Sequence, residues 1–197
     1  MAYSKRCFLL AFCLFQLALL PALAQKVSIK TEAGDIFLEL YAAKAPLTVS
    51  NFLKYVDQHR YDGVTFYRVV RMNNQPDKLI KIEVIQGGLN KDSTKRLDSI
   101  AQETTRKTGL KHLDGTISMA RNTPNSASSE FFICINDQPE LDFGGKRNPD
   151  GQGFAAFGKV TKGMDIVRAI QLGEAGTGDK QQLLQRPVKI ISVSRID

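Results

Sequence analysis

Short stretches in which apolar and polar residues alternate recur along this chain, and each is cut off by Gly, Asn, Asp or Pro. That rhythm restricts the chain to folds assembled from short strands. Alternating or apolar runs fall at Lys26–Thr31, Ile36–Leu40, Val64–Val70, Lys81–Gln86, Thr116–Ala120, Phe131–Asn136, Phe154–Val160 and Val188–Ile196. Turn-forming residues crowd 72–78, 87–95, 121–129, 142–153 and 173–180. Only two segments carry a helical period: Pro46–Gln58, with Pro at the first turn, and Met164–Gln171. Many strands and two helices without a βαβ rhythm predict a closed or sandwich-like antiparallel β fold. There is no internal repeat and no linker between domains. The segment 87–113 is long and poor in strand signal, which predicts a substrate-facing loop. A composition 43% hydrophobic and 24% charged excludes collagen, coiled coil and wholesale disorder.

The first 24 residues stand apart. Lys5 and Arg6 precede the apolar run Cys7–Leu20, in which only Gln16 is polar, and Pro21 and Ala22-Leu23-Ala24 follow. This is the pattern of a secretory signal cleaved before Gln25. The run is short of the roughly 20 residues a spanning anchor needs. The division expected is therefore a signal peptide at 1–24 and one domain at 25–197, exported and without stable membrane insertion. A periplasmic location is the first reading, with secretion or an N-terminal anchor as alternatives. Removing the leader takes two cations and no carboxylate from a formal charge of +7, and two of three cysteines. Cys134 remains, inside the run Phe131–Ile135, where a buried inert thiol is expected.

Four motifs follow one another in the remainder: Phe66-Tyr67-Arg68-Val69-Val70; Val84-Ile85-Gln86-Gly87-Gly88; Gly115–Arg121 running on to Ser129–Ile133; and Phe157–Gly163. Their order and spacing resemble the cyclophilins, and the resemblance runs from the Val27–Leu40 hairpin to the C-terminal strand. It implies a closed eight-stranded antiparallel β-barrel capped by two α-helices. It also implies peptidyl-prolyl cis-trans isomerase activity on proline-containing unfolded or extended polypeptides, by a monomer needing neither metal nor cofactor.

By the same resemblance Arg68 is the catalytic arginine, and Gln86 orients it and contacts the substrate backbone. Alternation alone places Phe66 and Val70 on the side of Arg68, with Tyr67 and Val69 on the other, and leaves an outward surface arginine as the simpler reading. Phe132 matches the floor of the proline pocket beside Leu141; strand alternation sends Phe131 and Phe132 to opposite faces, so one of them belongs to the core. Ala120, Arg121 and Asn122 match the segment that pairs with the bound peptide through its main chain.

The chain departs from the family at the groove. An insertion lies near Met72–Ile80 and another at Phe143–Gly153. Glu83 falls where a pocket Phe is usual, Val84 where a Met is usual, Glu130 where a Gln is usual, and Arg121 where Asn is common. Phe154 replaces a His or Tyr. Glu140 takes the place, just before Leu141, of an aromatic that binds cyclosporin. Glu83 and Glu130 either pair with Arg68 and orient it or weaken its field. These substitutions keep open a second reading, a non-catalytic cyclophilin-like chaperone or scaffold that holds proline-containing segments. His59 and His112 lack metal-ligand spacing, so each is expected to be solvated or structural. Lys91–Arg96 and Arg106–Lys111 make a basic loop without interleaved aromatics, which gives no sign of nucleic-acid binding.

Overall fold

A computed structural model describes residues 25–90 and 92–196; the expected signal peptide lies outside them. Eight strands close into an antiparallel barrel in the order β1 (Gln25–Thr31), β2 (Gly34–Leu40), β7 (Ala155–Lys162), β5 (Thr116–Met119), β6 (Phe131–Cys134), β4 (Val84–Gly88), β3 (Thr65–Val70) and β8 (Leu183–Ile196). Helices α1 (Pro46–Asp57) and α3 (Met164–Gln171) pack on it, and α2 (Thr105–Thr108) is a single turn within the long loop. Period-2 alternation drives the closure: Val27, Ile29, Ile36, Leu38 and Leu40 all point inward and are at most 1% exposed. Phe52, Tyr61, Phe66, Phe131 and Phe157 fill the interior with ring centroids 5.2–5.7 Å apart. Gly158 permits the approach of β7 to β2, since a Cβ there would lie 2.5 Å from the Glu39 carbonyl oxygen.

Helix α1 begins at Ala45 without a side-chain cap of its own. The carboxylate of buried Glu103 accepts instead from the Thr48 amide (2.8 Å), the Thr48 hydroxyl (2.7 Å) and the Leu47 amide (3.3 Å). A negative charge at a helix N-terminus is favourable, so this contact ties the long loop to the helix.

Two expected strands shift. β4 starts at Val84 rather than Lys81, because Ile82 gives its amide and carbonyl to the side chain of Gln75, a buried member of the first insertion. β8 starts at Leu183 rather than Val188. Its pairing with β3 jumps from Val188 opposite Phe66 to Leu183 opposite Arg68. Pro187 falls in that gap, where its missing N–H breaks no ladder bond.

His112 is buried, not solvated, and lies beneath the face of Phe132, rings 5.9 Å apart and 15° from parallel. Its Nδ1 is 2.8 Å from Asp142 Oδ1 and its Nε2 is 3.0 Å from Ser118 Oγ. A carboxylate only accepts, so Nδ1 carries the proton and Nε2 accepts from the serine hydroxyl. Burial lowers the His112 pKa, outweighing the Asp142 carboxylate that raises it. Burial raises that of Asp142, but its bonds to His112 outweigh it and leave the carboxyl below its usual range. The folded protein therefore favours neutral His112, whereas the unfolded chain takes up a proton near pH 6.5. This contribution to stability is present above that pH and is lost as pH falls. Urea unfolding is expected to show stability dropping below pH 6.5 by up to about 1.4 kcal/mol per pH unit, with the slope reduced in His112→Gln. An unchanged slope in that variant would remove His112 as its source.

Candidate active site

The groove is built around a β-bulge. Phe66 pairs with Gly87 and Arg68 with Gln86, so β3 carries one residue more than β4 at Tyr67. A bulge re-aims side chains that strict alternation would send elsewhere. Phe66 and Val69 point into the barrel, whereas Tyr67, Arg68 and Val70 face outward. The alternation expected from the sequence is thereby corrected: Phe66 and Arg68 lie on opposite faces, and Tyr67 joins Arg68 in the groove.

Arg68 is held by two neutral carboxamides. Its Nη1 donates to Gln86 Oε1 (2.8 Å), while Nε and Nη2 donate to Gln182 Oε1 (3.1 and 2.6 Å). A guanidinium has five N–H donors, so two remain for a ligand. Gln182 in turn donates to the Asn74 carbonyl in the first insertion (3.1 Å), which fixes its carboxamide. Burial pulls the Arg68 pKa down, yet a guanidinium stays charged at physiological pH.

Glu130 does not pair with Arg68. Its Oε2 accepts from the Tyr67 hydroxyl at 2.6 Å, and its Oε1 from the Asn90 amide at 2.8 Å and Ser129 Oγ at 3.2 Å. Tyr67 therefore donates to Glu130 and accepts from Gln86 Nε2 (2.7 Å), which leaves Gln86 Oε1 turned to Arg68. Burial and the Glu130 hydrogen bond push the Tyr67 pKa well up, so this donor is permanent.

An apolar pocket adjoins the arginine. Ile82, Val84, Phe132 and Leu141 line it with Ala120 and Phe154, in a groove of about 600 Å³. Phe132 and Phe154 meet edge to face, with centroids 5.2 Å apart. Phe131 is the core residue and Phe132 the groove residue. Past the end of β5, Ala120–Asn122 runs along the rim. The Arg121 guanidinium forms a bidentate pair with Asp150 (2.8 and 2.8 Å) and lies over the Phe154 ring, bracing the second insertion.

The structure thus brings together Arg68, Gln86, Val84, Ala120, Arg121, Asn122, Glu130, Phe132, Leu141 and Phe154. Glu83 is the exception and is corrected: its carboxylate accepts from Asn136 Nδ2 (2.9 Å), away from the groove. Alternation explains this, since Ile82, Val84 and Gln86 share one face and Glu83 and Ile85 the other. Ile82 takes the wall position assigned to Glu83. The sequence reading also missed Tyr67, hidden by the bulge; Gln182, far away in sequence; and Arg147, which the second insertion brings to the groove. Among the described residues no cluster of His, Cys, Asp and Glu is able to hold a metal ion.

Residues 26–195 match the family model described as cyclophilin type peptidyl-prolyl cis-trans isomerase/CLD. A peptidyl-prolyl cis-trans isomerase of Streptomyces antibioticus is 38% identical over 168 residues, spanning 84% of this chain and 95% of the relative. One from Acinetobacter baylyi is 37% identical over 85% of this chain and 83% of its own length. A crystal structure of a Cryptosporidium parvum cyclophilin-type isomerase, obtained in the presence of the dipeptide Ala-Pro, shares the fold with a TM-score of 0.68, 21% identity, and coverage of 88% of this chain and 99% of that one. With the family model matched over residues 26–195 and relatives 37–38% identical over most of their length, the chain belongs to the cyclophilin-type peptidyl-prolyl cis-trans isomerases.

Proposed function

We propose that Arg68 is the residue that accelerates isomerisation and that the proline ring enters the Phe132–Leu141–Phe154 pocket. The X-Pro bond resists rotation by about 18–20 kcal/mol because amide resonance holds it planar. Twisting breaks the resonance and returns a lone pair to the prolyl nitrogen. A donor aimed there stabilises the twisted amide more than either planar isomer, which is what lowers a barrier. The observation that carries this reading is the way Arg68 is held. Two carboxamide oxygens fix the guanidinium without neutralising it, and two N–H groups remain beside an apolar wall. A preorganised charge in a partly desolvated groove needs little reorganisation as the amide twists. No bond is made or broken, so the step calls for no nucleophile. In this reading Gln86 and Gln182 are positioning residues, and Ala120–Asn122 offers its backbone to an extended peptide.

In a protease-coupled assay on a proline tetrapeptide, Arg68→Ala is expected to lower kcat/KM by about 100-fold or more, each factor of ten being about 1.4 kcal/mol. Gln182→Glu separates positioning from charge. A carboxylate holds the guanidinium at least as firmly but cancels its field, so kcat is expected to fall with KM little changed. Turnover untouched by Arg68→Ala would overturn the role given to Arg68, whereas peptide binding by the wild type without any turnover would support the scaffold reading.

Lys5 and Arg6 before the apolar run Cys7–Leu20, and Ala22-Leu23-Ala24 before Gln25, support export, with the periplasm as the first location, and a domain of 25–197. Among the described residues no helix is long and apolar enough to cross a membrane. Slow proline isomerisation limits folding of exported chains, which gives such an enzyme its work. Expressed in full in a bacterium, the protein is expected in the periplasmic fraction with a mass that begins at Gln25; full-length chain confined to membranes would contradict this.

Glu140 supports weak cyclosporin binding. Its carboxylate accepts from the Lys146 amide at 2.7 Å and its carbonyl from the Arg147 amide at 3.2 Å, so a charged, anchored side chain replaces the aromatic face. Inhibition titrations are expected to need far more than nanomolar drug, and nanomolar inhibition would refute this.

A further inference from the structure

The charge of the groove is unbalanced in a way that prolyl rotation does not require. Arg68, Lys78, Arg96, Arg121 and Arg147 line it, against one lining carboxylate, Glu130. Arg121 is neutralised by Asp150, and both Glu130 oxygens are occupied by Tyr67, Asn90 and Ser129. Among the described residues, none of the other four cations forms an ion pair.

Arg147 is the informative member. It is half-buried, and the second insertion holds it by its amide on the Glu140 carbonyl. Its Nη1 donates to the Ile80 carbonyl at 2.5 Å, across to the end of the first insertion. That single contact joins the two insertions into one wall. It also keeps Arg147 in the same groove as Arg68, where burial and then the Arg68 charge lower the Arg147 pKa. Two like charges held together in a partly desolvated groove are unfavourable unless an anion lies between or beside them. The insertion is itself firmly shaped: Gly144 donates to the Gly151 carbonyl (2.7 Å), and a Cβ on Gly145 would lie 2.5 Å from the Glu140 carbonyl oxygen. The arginine is thus presented by a built wall rather than by a loose loop.

We propose that this groove selects proline segments with a carboxylate side chain directly flanking the proline, held by Arg147 with Lys78 at the rim. The inference rests on the proline entering the Phe132 pocket, and it adds a substrate class to that reading. A carboxylate meets a guanidinium with two parallel hydrogen bonds, and Arg147 keeps donors free beyond the one given to Ile80. Glu130 keeps its charge, but its oxygens are turned to Tyr67 and the Asn90 amide and it is outnumbered by the four cations without an ion pair.

The test compares three proline peptides that differ only beside the proline, carrying Glu, Gln or Lys, with the substitution made on each side in turn. For the wild-type enzyme at low ionic strength, kcat/KM is expected to favour Glu over Gln by about fivefold on one side of the proline, with Lys poorest. The preference is expected to shrink in half-molar salt, since it is electrostatic. Arg147→Gln is expected to bring the Glu-to-Gln ratio to about one, and Arg147→Glu to favour Lys. Equal turnover of all three peptides by the wild type would overturn the proposal while leaving the isomerase assignment intact. A Glu preference unchanged in Arg147→Gln would overturn the role of Arg147. Should none of the peptides be turned over, the same ratios read as Kd values by fluorescence anisotropy decide the selectivity, and the lack of turnover counts against Arg68 alone.

Discussion

One extra residue in β3 sets the position of nearly everything in the groove. Because Phe66 and Arg68 stand opposite consecutive residues of β4, the strand buries Phe66 in the barrel and still presents Tyr67 and Arg68 side by side outside it. Without that bulge, strict alternation would give Arg68 the same face as Phe66, which fills the core. A buried unpaired guanidinium would be very unfavourable there. Against β8 the surplus lies on the other strand: between Val188 opposite Phe66 and Leu183 opposite Arg68, β8 carries four residues to the one of β3, and Gln182 next to Leu183 reaches the guanidinium. One irregularity, in β3, exposes the charge, and a second, in β8, supplies its support.

What the chain reveals before folding divides along physical lines. Local periodicity marks the barrel strands and the two main helices, because each must present an apolar face to one core. The motif around Arg68, Gln86 and Phe132 carries the resemblance to cyclophilins for the same reason: those residues lie on strands whose register is fixed by burial. Periodicity fails where an extra residue breaks it. The side of β3 that Arg68 occupies and the wall position given to Glu83 instead of Ile82 both depend on how irregular segments join the strands. Contacts between distant segments are equally hidden. Glu103 capping α1, Gln182 holding Arg68 and Asn74 holding Gln182 have no signature in their own neighbourhoods. Polar residues in a loop look alike in sequence whether they meet water or a buried partner.

The two insertions are structural walls with their own polar cores. Gln75, 1% exposed, uses its carboxamide as a substitute strand, bonding Arg71 and both backbone groups of Ile82. Ile82 is thereby placed in the pocket, where it does the work expected of a residue one position on. The second insertion is clamped by Arg121 on Asp150 and by the Glu140 carboxylate on the Lys146 amide. Two substitutions that look like losses in a cyclophilin groove, Arg121 and Glu140, are thus the anchors of added structure.

Glu130 shows how a carboxylate near a groove arginine need not pair with it. A carboxylate only accepts, so Tyr67 must donate to it, and the tyrosine oxygen is left to accept from the Gln86 amide nitrogen. That fixes the sense of the Gln86 carboxamide and directs its oxygen to Arg68. A glutamine at position 130 is able to donate as well as accept, so it would leave the direction of the relay undetermined. With Glu130 the polarity runs one way, from the carboxylate through a neutral phenol and a neutral amide to the guanidinium. The negative charge orients the arginine through two dipoles while remaining out of contact with it. The positive field is left facing the apolar pocket.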